Sequence, residues 1–144
     1  MNEDVVRQEV GLAVKRLQWR HHRTANTRLA PIGLSLPQWD VLRHLQAQPD
    51  ASLHQLAGLT FQTDQSMGTM AARMIDRGLL ERVDGPGRAV RHRLTPAGER
   101  LRAEGSAILD GVVSDTLGHL SPDELSTLHA LLVKAADGDD ADRG

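Results

Sequence analysis

Hydrophobic positions along this chain recur at spacings of three and four through most of its length and run as short extended segments in one place only. Val6, Val10, Ala13, Leu17, His21 and Thr24 set out a long helix over residues 4–30, closed by Pro31 and Gly33. Ser35-Leu36-Pro37-Gln38 has the form of a capping box and opens a second helix to about Gln46, with Trp39, Leu42 and Leu45 on one face. Ser52-x-x-Gln55 repeats that signal ahead of Leu53, Leu56 and Ala57. Thr63 then caps a helix to Asp76, whose Met67, Met70, Ala71 and Met74 fall on the core side; a methionine stripe at this spacing is ordinary packing. Gly78 ends it. Two extended runs follow, Leu79–Asp84 and Val90–Thr95, joined through Gly85-Pro86-Gly87-Arg88-Ala89. Leu80, Val83, Val90 and Leu94 are expected to point inward, and Arg82, Arg88, Arg91 and Arg93 outward or at the tip. Thr95-Pro96 starts a long helix to about Leu117, and Ser121-Pro122-Asp123-Glu124 starts the last one, which carries Leu125, Leu128, Leu131, Leu132 and Ala135. Residues 137–144 are polar and predict a disordered tail.

Helix, turn, helix and a basic-tipped hairpin over residues 52–95 is the outline of a winged helix-turn-helix. The predicted fold class is mainly α with a small β-hairpin wing. Composition narrows the picture. With 144 residues the chain fits one domain, and with only three aromatics among its apolar residues the core must be aliphatic. Cysteine is absent, which excludes disulfides, thiolate metal sites and thiol redox chemistry. The acidic start Met1-Asn2-Glu3-Asp4 lacks the features of a secretory signal, and no apolar run reaches membrane-span length, so a cytoplasmic protein is expected, with no membrane partner.

A net charge of −2 looks wrong for a DNA binder until it is divided along the chain. Residues 1–62 carry seven Lys/Arg against five Asp/Glu, residues 63–103 eight against five, and residues 104–144 two against nine. The wing region is thus basic and the acid lies in the last third; the local patch governs phosphate attraction. On the predicted recognition helix, Gln65, Ser66, Thr69 and Arg73 occupy the face left free by the methionines, next to Thr63. These are the candidate DNA contacts, together with the wing arginines Arg88 and Arg91. Asp64 stands out. Its carboxylate suits the helix dipole, but it repels phosphates unless it accepts from a cytosine amine.

Trp19-Arg20-His21-His22-Arg23 is the one further cluster with chemistry in it. Trp19, His22 and Arg23, with Trp39, could line a pocket for a small aromatic or anionic ligand; equally, the tryptophans are core and His22 and Arg23 solvated. Packing alone accounts for Trp39. Seven histidines raise the question of zinc, but none stand four apart on a helix, so no metal site or cofactor is expected. No nucleophile elbow, phosphate loop or His-Glu-x-x-His occurs, which argues against an enzyme. The rival reading is a winged-helix protein-interaction module that does not bind DNA, supported by Asp64 and the acidic last third.

A long first helix, Leu36-Pro37-Gln38-Trp39-Asp40-Val41-Leu42, Leu56-Ala57, Arg77-Gly78-Leu79-Leu80-Glu81-Arg82 and Arg91-His92-Arg93-Leu94-Thr95-Pro96-Ala97-Gly98, in this order, resemble the MarR family of bacterial transcriptional regulators. The resemblance runs from about residue 5 to residue 135. It implies a homodimer held by the first, fifth and sixth helices, a recognition helix at residues 63–76, Arg88 as the minor-groove arginine, and commonly a repressor of double-stranded DNA released by a small, often phenolic, ligand. The chain then divides into a winged helix-turn-helix over 35–95 and dimerisation helices over 4–30 and 96–136. The terminal helices hold more apolar surface than a small monomer can bury, with Leu109, Val113, Leu117, Leu128 and Leu132 as candidates for the dimer interface. One departure is that Pro86 stands where family wings often place an aspartate that holds the tip arginine.

Overall fold

The computed structural model describes residues 2–85, 87 and 90–138. The elements run α1 (Glu3–Leu29), a 3-10 turn (Ala30–Ile32), α2 (Leu36–Ala47), α3 (Leu53–Leu59), α4 (Asp64–Asp76), β1 (Leu80–Asp84), β2 (Val90–Leu94), α5 (Pro96–Leu117) and α6 (Pro122–Asp137). The mainly helical architecture with one antiparallel hairpin is the expected one, and most boundaries fall within a residue or two of those the periodicity predicts.

Hydroxyl caps set these boundaries. Ser35, Ser52, Thr63, Thr95 and Ser121 each accept a hydrogen bond from the N–H three residues on, satisfying a donor the helix itself cannot. At Ser35, Ser52 and Ser121 the reciprocal side chain of Gln38, Gln55 or Glu124 completes a capping box. Acceptance from the Ser121 amide and hydroxyl also holds the Glu124 carboxyl below its usual range. Helix ends are equally specific. α4 closes with Gly78 at φ 73°, the Gly78 N–H on the Ile75 carbonyl and the Leu79 N–H on the Met74 carbonyl. α3 closes by the same pair of bonds, Phe61 to Gly58 and Gln62 to Ala57, yet its left-handed position (φ 56°) holds phenylalanine rather than glycine.

The core joins the C-terminal end of α1 (Ala25, Leu29) to α2 (Val41, Leu42, Leu45), α3 (Leu56, Ala57), α4 (Met67, Ala71, Met74), the start of the hairpin and the middle of α5. Two glycines let α5 come close. A Cβ on Gly98 would stand 2.1 Å from the Leu79 carbonyl oxygen, and one on Gly105 would stand 2.4 Å from Cδ1 of Trp39. Trp39 is wedged between α2 and α5, its indole N–H donating to the Arg102 carbonyl at 3.1 Å. Arg28 pairs with the Asp115 carboxylate and Arg20 donates to the Asp115 carbonyl, clamping α1 to α5.

Two regions stay outside this core. The predicted stripe of α1 is uncovered over its N-terminal half, where Val6, Val10 and Ala13 are exposed. No residue of α6 is buried. Among the described residues no helix is long and apolar enough to cross a membrane.

The hairpin corrects one expectation. Its register pairs Leu80 with Leu94, Arg82 with His92 and Asp84 with Val90 on one face, and Glu81 with Arg93 and Val83 with Arg91 on the other. Val83 therefore lies opposite Arg91 rather than inward, and Val90 is 39 % exposed. Arg82 shares the face of Leu80, and His92, at 4 % exposure, is the buried residue of β2. The reason is the two-residue period of a strand: Leu80 and Val83 are an odd number apart and cannot share a face.

Candidate nucleic-acid interface

α4 divides cleanly between inside and outside. Met67, Ala71 and Met74 are buried, whereas Gln65, Ser66, Thr69 and Arg73 are exposed along the opposite side. With Gln38 of α2, Gln62 and Met70, these four line a shallow groove of about 370 Å³. The amide, hydroxyl and guanidinium groups there offer donors and acceptors suited to base edges. Thr63 is exposed as well, but its hydroxyl oxygen is committed to the Ser66 N–H at 3.1 Å, so it works first as the cap that aims the helix.

Asp64 has a partner that the sequence did not disclose. Its carboxylate receives Nδ1 of His54, the second residue of α3, at 2.9 and 3.1 Å to its two oxygens. Both side chains are largely exposed. A protonated His54 neutralises the carboxylate before it meets phosphate, which weakens the case that Asp64 makes against DNA. The ten-residue separation across the turn hid this pair from any helical-spacing rule.

The wing stands beside α4. On its outer face Arg91 lies across from Val83, and Arg93 Nε donates to Glu81 Oε1 at 2.5 Å. Arg91 bonds only the Val90 carbonyl among the described residues, at 3.3 Å, and keeps its charge available; Arg93 spends part of its own on Glu81. Arg88 and Pro86, at the tip, lie outside the described residues. The inner face covers a cleft of about 360 Å³ lined by Leu53, Gly68, Ala71, Ala72, Ile75, Arg82, Val90 and His92. His92 Nδ1 is buried there without a hydrogen-bond partner among the described residues. Burial, and then the neighbouring Arg82 charge, lower its pKa below the usual histidine value.

The suggested ligand residues do not converge on one pocket. Trp19 is 62 % exposed and lines a groove of about 460 Å³ with Arg20, Arg23, Thr24, Thr27 and Arg28, all on α1. Trp39 lines a different groove of about 480 Å³, with His21, Leu36, Arg43, Leu109 and Val113 among its other walls. His22 lines neither. Adjacent residues of a helix point about 100° apart, so the Trp19–Arg23 run is split between faces. Arg43 stacks over Trp39 at 5.5 Å from the ring centroid.

The candidate dimer residues also divide. Leu109 is 7 % exposed, packed within the chain beneath α2, and so is not surplus surface. Val113 and Leu132 remain open at 43 and 41 %, while Leu117 and Leu128 are half-buried. Leu131 and Val133, which were not singled out, are as open as these or more so. Among the described residues no group of three metal-ligating side chains gathers.

Comparison with known proteins agrees with this geometry. A sequence model of the MarR family matches residues 32–89, from the end of the 3-10 turn through the wing tip. The chain is 29 % identical over 108 residues to the HTH-type transcriptional repressor Rv2887 of Mycobacterium tuberculosis, covering 74 % of this chain and 78 % of that protein. Its fold is similar to that of Bordetella bronchiseptica BpsR, whose DNA binding is regulated by 6-hydroxynicotinic acid (27 % identity, TM-score 0.81, 90 % of this chain and 99 % of that one). It is also similar to a mutant MarR from E. coli complexed with operator DNA (20 % identity, TM-score 0.82, 94 % and 99 %), a likeness of fold. By the match over its winged-helix segment and by a fold shared along nearly its whole length, the chain belongs to the MarR family.

Proposed function

We propose that this protein is a homodimeric, sequence-specific double-stranded DNA-binding regulator, a repressor released by a small aromatic or anionic ligand. The observation that carries the reading is the two-sided recognition helix. Its methionine side is locked into the core, and its hydrogen-bonding side, Gln65, Ser66, Thr69 and Arg73, is free and backed by a basic wing. Rv2887 has been captured with DNA and with salicylic acid, which supports both halves of the reading. Two such helices in a dimer would enter successive major grooves, with Arg91 and the tip Arg88 on flanking phosphates and the minor groove. The work is binding rather than turnover, and its place is the cytoplasm.

For the ligand, the groove holding Trp19 and Arg23 supplies an exposed indole beside guanidinium groups, a pairing suited to an aromatic carboxylate. A bound ligand shifts the equilibrium only by preferring the dimer geometry that misaligns the two helices. Selection from random duplexes tests the function. An enriched inverted repeat with half-sites about 10 bp apart, bound less tightly as salt rises, is the expected outcome. A folded dimer that enriches nothing would favour the protein-interaction reading.

A further inference from the structure

The turn between α3 and α4 carries a residue that the fold does not use. Phe61 is the only phenylalanine in the chain and is 96 % exposed, so its ring contributes no packing. It also sits at φ 56°, in the left-handed position that glycine fills at the end of α4. A side chain there strains the backbone, and an exposed ring gains nothing in return from the folded monomer. Both neighbours behave in the opposite way. The Thr60 hydroxyl donates to the Leu56 carbonyl at 2.6 Å, and the Gln62 amide donates to the Thr60 oxygen at 2.9 Å. The turn is therefore anchored on either side of Phe61, and only the ring is sent outward, from a backbone fixed by the closing bonds of α3 and the Thr63 cap of α4.

Its place is at the edge of the groove already assigned to DNA. Gln62, the next residue, lines that groove with Gln65, Ser66, Thr69 and Arg73, and α4 begins two residues later. The major groove offers one apolar group to such a ring, the C5-methyl of thymine, and contact between an apolar side chain and that methyl is a means of reading sequence. We propose that Phe61 is a specificity-determining residue that contacts a thymine methyl at the margin of each half-site. This rests on the DNA-binding reading above and adds to it an apolar contact outside the recognition helix.

The experiment uses the full-length protein and the operator enriched from random duplexes. Phe61→Gly removes the ring and restores the residue that the backbone prefers, so its melting temperature should match or exceed the wild type. Its operator affinity should fall about fourfold, the worth of one methyl-sized apolar contact. Replacing the half-site thymines one at a time by deoxyuridine should cost the wild type the same factor at one position and cost Phe61→Gly nothing there. If the wild type binds and Phe61→Gly binds equally well, the assignment is overturned while the regulator reading stands. A loss in Phe61→Gly with no methyl-sensitive position overturns the thymine contact. If the wild type binds no duplex at all, the functional reading and this assignment fall together.

Discussion

Single residues carry sharp consequences where the packing is closest. His92 is buried on the inner face of the wing with an unpartnered ring nitrogen, and burial together with Arg82 depresses its pKa. The unfolded chain takes up this proton near pH 6.5, the folded protein only at lower pH, so the unfolded state binds more protons in between. Stability is therefore retained above about pH 6.5 and lost as the pH falls below it. Melting curves across pH 5.5–7.5, roughly the histidine range, should show a decline on acidification that His92→Leu reduces. Part of the decline should persist, because burial and Arg43 also lower the pKa of His44. Equal slopes in both proteins would assign the acid sensitivity elsewhere. Gly98→Ala is the complementary case. Its new methyl would meet the Leu79 backbone carbonyl at 2.1 Å, where no flexible side chain can yield. A cost of about 1–3 kcal/mol, as for other overpacked sites, should lower the melting temperature by several degrees. Gly68→Ala, facing open space at its own Cβ on α4, is the control and should not.

At the level of elements, the hairpin and the recognition helix divide the work of binding, and substitutions should reveal the division. Arg91 is the wing cation less occupied by internal pairing, Arg93 being bonded to Glu81. Arg91→Ala is expected to weaken all duplexes alike and to reduce the log–log salt slope by about 1, the signature of one lost phosphate contact. An unchanged slope would remove Arg91 from the interface. The helices themselves were legible in the sequence because their ends are: Ser35, Ser52, Thr63, Thr95 and Ser121 each form the cap that their position suggests. The exposed face of α4 was legible too, since four methionine and alanine positions fix the buried one. Relations between elements were not. His54 meets Asp64 across a turn, Gly105 makes room for Trp39 from another helix, and Leu109 disappears beneath α2. Each depends on how two helices approach, which periodicity within one helix does not record. The wing faces were recoverable in principle from the parity of Leu80 and Leu94, but the hydrophobicity of Val83 and Val90 concealed His92 as the residue that goes inside.

The whole molecule leaves unfinished business at its two ends. Along α1, Val5, Val6, Val10 and Val14 are each more than two-fifths exposed, and α6 presents Leu131 at 59 %, Leu132 at 41 % and Val133 at 43 %. An open apolar surface of this extent on helices that otherwise reach away from the core is best covered by a second copy, as the proposed homodimer requires. Because α6 has no buried residue, charge placed on it should leave the monomer fold intact. Leu131→Glu with Leu132→Glu is therefore expected to keep the far-UV circular dichroism spectrum of the wild type while halving the mass seen by sedimentation. Operator affinity should drop by orders of magnitude, because two half-sites bound by one dimer gain from the effective concentration that linkage provides, and monomers lose that gain. The residual binding of one wing and one recognition helix should remain salt-dependent. A variant that stays dimeric would locate the interface away from α6 and leave α1 and Val113 to form it. A variant that turns monomeric yet binds the full operator as tightly as before would show that the two recognition helices act independently, and that the spacing between them is no route by which a ligand could release the DNA.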